Sequence, residues 1–246
     1  MRLNARSSDP HAGFDAAARR RARDLGRLCR KVNSGQELTL DVGNVELRIL
    51  PGDSVEIPHI EPALDALVVF AGSNDRMDWV RNLAVGKRDC ASFGGKVHCG
   101  FESDFLRIRE VLIARLEGFA RVGIAGHSRA HPLACRLAEE LHDRGVDVAF
   151  VVTFGGPRWC DASRRDRYAA RRIPTHRFVA GWDAVPRWPK WGYRHVGEMV
   201  CLSSEGKRLK GQRRPAWWAP WRYLTEAVDD HGVGDAYADA LREWAR

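Results

Sequence analysis

Residues 123–134 read GIAGHSRAHPLA. The first half is short and apolar. The second opens a helical pattern, with Leu133, Leu137 and Leu141 on one face and Gly145 as its stop. A strand therefore turns sharply into a helix here, with Ser128 at the tip. Gly126, Ser128 and Ala130 fill the three fixed places of the G-x-S-x-G nucleophile elbow, with alanine where the last glycine is expected. Such a turn lifts the serine Oγ above the sheet. The next backbone N–H, that of Arg129, points where an oxyanion would form, and the helix N-terminus adds positive potential. Gly126 lets the strand end approach the helix, and a small backbone shift can accommodate the methyl of Ala130. Pro132 is tolerable because it falls in the first turn, where its missing N–H bonds nothing. Three fixed positions arise often by chance, so the rest of the chain decides what they mean.

Outward from the elbow, strands and helices alternate. LTLDV and VELRIL, separated by Gly43 and Asn44, read as a β-hairpin. ALVVFAG (66–72) is a short apolar run ending in glycine, the mark of a buried strand. From Phe105 an apolar stripe continues through Ile108, Leu112, Leu116 and Phe119 at helical spacing. RVGIAG, VDVAFVVTFGG and THRFVAG are further strands, and a helix from about Arg129 to Arg144 separates the first two. Buried apolar strands alternating with helices mean a mostly parallel central sheet with helices on both faces. The expectation is one α/β domain over 1–246, with an amphipathic basic N-terminal helix at about 14–33.

The chain has 246 residues, 44% of them hydrophobic, enough for a full-sized core. No stretch approaches the uninterrupted apolar run of a transmembrane helix, and no secretory signal is visible. Cys29, Cys90, Cys99, Cys135, Cys160 and Cys201 form no C-x-x-C pair, which argues against a zinc site and suits a reducing compartment. The expected localisation is cytoplasmic, with export by a signal-independent route left open. No metal or organic cofactor is predicted.

The formal net charge is +8, with 34 arginines among the 40 basic residues. RRRARDLGRLCRK (19–31) belongs to a helical pattern in which Phe14, Ala18, Ala22, Leu25, Cys29 and Val32 share one face, closed by Ser34 and Gly35. It reads as a helix packing its apolar stripe on the domain with arginines in solvent, or as a membrane-surface or nucleic-acid helix. KRLKGQRRPAWWAPW (207–221) sets basic residues beside Trp217, Trp218 and Trp221. That suits a lipid headgroup interface, a stacking platform for single-stranded nucleic acid, or a loop whose aromatics cover the core. No binding motif accompanies the arginines, so no nucleic-acid partner is expected.

Five motifs follow in order: VVFAGSNDRMDWVRNL, GKVHCGF, GIAGHS, VVTFGGPR and GWDAVPRWPKWGYRHVGE. Through them the chain from Leu67 to Val200 resembles the class 3 lipases, the α/β-hydrolases related to fungal triacylglycerol lipases. The resemblance implies the α/β-hydrolase fold and a Ser–Asp–His triad in that chain order, with Ser128 as nucleophile. Asp183, in WDAVP just past THRFVA, matches the family's acid; a turn-forming aspartate is the plainer reading. His231, in DDHGVGDAYADAL, lies where the family places its general base, in a loop opening a C-terminal helix. His195 is the alternative. His98 and His195 occupy positions that support structure in the family, and His127 is expected to point back into the sheet-side packing. His11, His59, His131, His142 and His176 read as surface or packing residues.

By the same resemblance Ser73 supplies the second oxyanion donor beside the Arg129 N–H, although a helix-capping serine would look the same. Residues 75–84 present Met77, Trp79, Val80 and Leu83 as an amphipathic lid or an ordinary surface helix. The chain departs from the family at the elbow, where Arg129, Ala130, His131 and Pro132 replace a leucine and small residues, and at Ala71, where the family often has arginine. The Arg129 guanidinium could lie near the pocket and pair with a substrate carboxylate or phosphate. The implied activity is carboxylic-ester hydrolysis, by a lipase, esterase or phospholipase, through an acyl-enzyme on Ser128. The competing reading is a catalytically degenerate hydrolase fold that binds a membrane or a macromolecular partner through its Trp- and Arg-rich surface.

Overall fold

The computed structural model describes residues 15–30, 40–41, 46–51, 64–70, 87–89, 94–181, 183–203, 205–210 and 237–245. Its centre is a sheet built from the apolar runs. In chain order the strands are β1 (Leu40–Asp41), β2 (Glu46–Pro51), β3 (Ala66–Phe70), β6 (Arg121–His127), β7 (Asp147–Phe154), β8 (Thr175–Ala180), β9 (Glu198–Leu202) and β10 (Arg208–Leu209). They lie side by side in that same order, and β3, β6, β7, β8 and β9 are mutually parallel. β1 and β2 form an antiparallel pair with Leu40 opposite Leu47 and Asp41 opposite Glu46, and β2 pairs antiparallel with β3. A separate two-stranded sheet joins β4 (Lys87–Asp89) to β5 (Lys96–His98).

Parallel neighbours require crossovers, and the helices that supply them cover both faces of the central strands. Alternate residues of each strand accordingly enter two cores. Val68, Phe70, Val122, Ile124 and Val151 pack under α2 (Cys99–Leu116), α3 (Ala130–Asp143) and α4 (Ala162–Ala170). Leu67, Val69, Ala125, Val152, Phe154 and Phe178 pack under α1 (Ala16–Arg30) and α5 (Ala238–Trp244). On β6, Gly123 leaves room for its neighbours, since a methyl there would lie 2.6 Å from the Phe150 ring and 2.8 Å from Leu64, and those side chains would have to shift. This is the α/β-hydrolase arrangement of a mostly parallel sheet with helices on both faces.

The basic helix α1 packs its stripe inward: Ala22, Leu25 and Cys29 are buried, and Gly26 faces Leu241 of α5. Its arginines are used locally, Arg19 donating to the Trp244 carbonyl at 3.3 Å and Arg21 lying over the Phe150 ring. Phe14, Val32, Ser34 and Gly35 lie outside the described residues. Among the described residues no helix is long and apolar enough to cross a membrane.

α2 starts six residues before the apolar stripe that announced it. The His98 ring caps it, Nδ1 accepting from the Gly100 N–H at 3.2 Å, so the helix begins in the KVHCGF motif. Phe119, placed on the same stripe, falls beyond the helix end at Leu116 and packs against the core from the following turn. α3 buries nearly its whole length, including charged side chains. Arg136 pairs with Glu102 and Glu139, and Arg164 of α4 pairs with Glu139, so those buried charges neutralise one another.

Candidate active site

Ser128 lies between the end of β6 and the first residue of α3, with φ of 54°. A non-glycine residue in the left-handed region costs roughly 1–3 kcal/mol and persists only where the surroundings impose it. They do so here. The Ser128 N–H donates to the Phe154 carbonyl at 2.8 Å, tying the turn to the end of β7, and the Ser128 carbonyl accepts from the His131 N–H at 3.0 Å. A methyl on Gly126 would press on the Ala130 carbonyl oxygen at 3.2 Å and on the Ala134 methyl at 3.4 Å, so the strand end touches the helix. Ala130 itself is fully buried. The alanine of the altered elbow is thus packed into the turn without undoing it.

Arg129 follows. Its guanidinium pairs with a carboxylate of the chain itself: Nε donates to Asp104 Oδ2 at 3.0 Å, Nη2 bonds the same oxygen, and both side chains are largely buried. The expected pairing with a substrate anion is replaced by an ion pair that fastens the elbow to α2.

Asp183 stands at the same, C-terminal edge of the sheet, past the end of β8, with only β7 between its strand and that of Ser128. Gly181, at φ of 45°, turns the chain out of the strand. The carboxylate is fully buried. Its Oδ1 accepts from the Val185 N–H at 2.9 Å, which closes the turn, and its Oδ2 accepts from the Tyr237 hydroxyl at 2.6 Å. Tyr237 sits at the head of α5, and its ring also meets His127 and Phe154 edge-on at 6.3 Å. One side chain therefore links His127, the residue before Ser128, to Asp183. Burial first, and the Asp183 charge second, push the Tyr237 phenol well above its ordinary pKa, so it remains a donor.

Sequence reasoning missed Tyr237. The available signal was its spacing with Ala240, Leu241 and Trp244, the buried face of a helix. A tyrosine on such a face needs a partner for its hydroxyl.

The histidines sort by what they touch. His195 Nε2 donates to the Pro186 carbonyl at 2.6 Å and so braces the 3-10 turn Val185–Arg187 that follows Asp183. His98 is buried at its helix cap between Phe101 and Tyr193. His127 meets Tyr237, and His131 is completely buried against Thr153, with Nδ1 3.0 Å from Oγ1. His142 is exposed and His176 half-buried near Glu198. Ser73, His231, the segment 75–84, Ala71, His11 and His59 lie outside the described residues, as do Trp217, Trp218 and Trp221. Among the described residues, Ser128 and Asp183 are thus brought to one edge of the sheet.

The family model for lipase (class 3) matches residues 67–193. The chain belongs to the class 3 lipase family. It is by membership an ester hydrolase of the lipase type. Solved structures agree on the fold. A Rhizomucor miehei lipase–propeptide complex superposes with a TM-score of 0.67 at 19% identity, over 95% of this chain and 81% of that one. A triacylglycerol lipase whose catalytic centre is a serine-protease triad gives 0.62 at 17% identity, over 89% and 91%. Lipase II from Rhizopus niveus gives 0.59 at 18%, over 82% and 77%. A comparison with curated proteins found no match.

Proposed function

We propose that this class 3 lipase is catalytically competent, hydrolysing carboxylic esters through an acyl-enzyme on Ser128. The observation that carries the reading is the strained left-handed φ of Ser128, kept at the strand-to-helix turn despite Arg129 and Ala130. Backbone strain of this kind is retained where a side chain must be presented. Asp183, buried at the same sheet edge and held from two sides, is the partner such a serine needs. A serine-protease triad forms the catalytic centre of the structurally similar triacylglycerol lipase, which supports the same assignment here.

In this mechanism the Ser128 hydroxyl attacks the ester carbonyl as His231 takes its proton. The Arg129 N–H and Ser73 stabilise the oxyanion. The ester C–O bond then breaks, and the proton passes from His231 to the departing alcohol. Water, activated by the same histidine, releases the acid and frees the serine. Asp183 holds the tautomer and stabilises the imidazolium.

The substrate is proposed to be a lipid ester met at a surface. Trp191 is 89% exposed and Trp188 is 45% exposed, large apolar area for solvent to contact. Between them the Lys190 ammonium lies 4.7 Å from the Trp188 ring centroid. From 184 to 197 the chain carries Arg187, Lys190 and Arg194 and no acid. Tryptophan with cations suits an anionic headgroup layer. This segment begins one residue after Asp183, so docking there brings lipid to the triad edge.

The test is labelling with a fluorophosphonate probe, with and without detergent, followed by mass-spectrometric mapping. An adduct on Ser128 that is lost in His231→Ala supports the assignment. Folded protein that takes no adduct in either condition overturns it and leaves a hydrolase fold used for binding.

A further inference from the structure

His131 is one of the residues by which the chain departs from its family at the elbow. It is completely buried, and burying a polar ring is costly unless its nitrogens are used. The chain makes room for it. A methyl on Gly156 would lie 2.3 Å from both Cβ and Cγ of His131, so the imidazole occupies the space beside the backbone that follows β7. Its Nδ1 lies 3.0 Å from the Thr153 hydroxyl. Its backbone N–H donates to the Ser128 carbonyl at 3.0 Å, and the Ser128 N–H donates to the carbonyl of Phe154, the residue after Thr153. The elbow and the ring thus grip two adjacent residues of β7.

The same ring meets His195, with centroids 6.0 Å apart and planes tilted by 57°. His195 Nε2 donates to the Pro186 carbonyl at 2.6 Å. Pro186 belongs to the turn whose Val185 N–H donates to Asp183 Oδ1 at 2.9 Å. A contiguous path of bonds and contacts therefore runs from Ser128 through His131, His195, Pro186 and Val185 to Asp183. Thr153 follows Val151 by two residues on β7 and so shares its face of the sheet, whereas Tyr237 packs with Phe154 on the other. Asp183 is thus supported from both faces. Burial first, and the Arg177 charge second, hold the pKa of both rings well below 6.5. Both are neutral near pH 7, and the one N–H proton of His195 sits on Nε2, directed at Pro186.

We propose that His131 is a positioning residue for ester hydrolysis: leaning on His195, it fixes the separation between the Ser128 turn and the Asp183 turn. The inference rests on the reading that Ser128 and Asp183 are catalytic. Packed interiors are dense and stiff, so two rings in contact transmit a displacement of one turn to the other. A misplacement of about 1 Å in a catalytic constellation can cost up to about a hundredfold in rate, which is ample reason for such a spacer.

The test compares His131→Ala, which removes the ring, with His195→Ala, which removes the bond to Pro186, and with the double variant. Activity on a soluble short-chain ester is expressed per serine titrated by a fluorophosphonate probe, so unfolded molecules do not count. In each single variant kcat and kcat/KM are expected to fall together by about tenfold at unchanged KM, as when alignment for the transition state is lost. The rate of Ser128 labelling should fall alongside. The double variant should be no slower than the slower single one, because both residues act along one path. A residue that only stabilised the fold would lower the Tm and leave these values alone. Should His131→Ala fail to fold, His131→Asn, which keeps an amide for Thr153 but no ring against His195, carries the same expectation. Wild-type rates per titrated serine in the variants, or losses that multiply in the double one, overturn the proposal alone. Wild-type protein that takes no label overturns the catalytic reading and this inference with it.

Discussion

The Tyr237 hydroxyl donates to Asp183 Oδ2 at 2.6 Å across 54 residues of sequence, so the C-terminal helix supports the carboxylate at the sheet edge. Tyr237→Phe keeps the ring contacts with His127 and Phe154 and removes this bond alone. The expected result is a fall in kcat of about tenfold at unchanged KM, the equivalent of one hydrogen bond to a charged group. Steady-state kinetics on a soluble ester checks it. An unchanged kcat would mean that Asp183 is held well enough by the Val185 N–H.

His131 fills the space that a side chain at position 156 would need: a methyl on Gly156 would overlap Cβ and Cγ of His131. Gly156→Ala is therefore expected to destabilise the protein by about 1–3 kcal/mol, as overpacked cores do. The double variant Gly156→Ala/His131→Ala should recover part of that loss. Urea melts of the three proteins give the coupling directly, and strict additivity would contradict the contact.

Arg129→Leu is expected to leave the preference between anionic and neutral esters unchanged, because the guanidinium serves Asp104. The cost falls on stability instead, at about 3 kcal/mol, since a largely buried carboxylate loses its partner. Arg129→Leu/Asp104→Leu should be more stable than Arg129→Leu alone. Ester-competition assays and thermal melts separate the two effects, and a specificity change in Arg129→Leu would restore a substrate role to the arginine.

Burial lowers the pKa of His131 and His195 well below the ordinary value of 6.5, and lowers that of His176 as well. The unfolded chain then binds more protons than the native one as pH drops through 6.5, so stability rises with pH in that range and is lost on acidification. Each such histidine contributes a slope of up to about 1.4 kcal/mol per pH unit. Urea midpoints should fall from pH 7 to pH 5. A flat profile would mean that these rings take up protons in the folded state.

Much of the fold could be read from spacing, because a buried parallel strand and an amphipathic helix each leave a periodic trace. Phe105, Ile108, Leu112 and Leu116 announced α2 in this way. The α4 segment ASRRDRYAA left none, since its inward positions are Arg164, paired with Glu139, and Tyr168. β5 is three residues long, too short for an alternation to register. At the site, Ser128 and Asp183 lie in local motifs, so their placement at turns on one sheet edge was legible. Their supports were not: Asp104 for Arg129 and Tyr237 for Asp183 are contacts made only once distant elements pack, and no local pattern encodes them.

The left-handed backbone at Ser128 has a consequence for anyone who tries to improve this protein. Glycine adopts that conformation without penalty, whereas alanine suffers as serine does. A Ser128→Gly chain should therefore melt about 2–4 °C higher, from roughly 1 kcal/mol of relieved strain. A selection for heat resistance alone would then enrich the very molecules that have discarded the Ser128 hydroxyl. Directed evolution of this scaffold has to score turnover in every round.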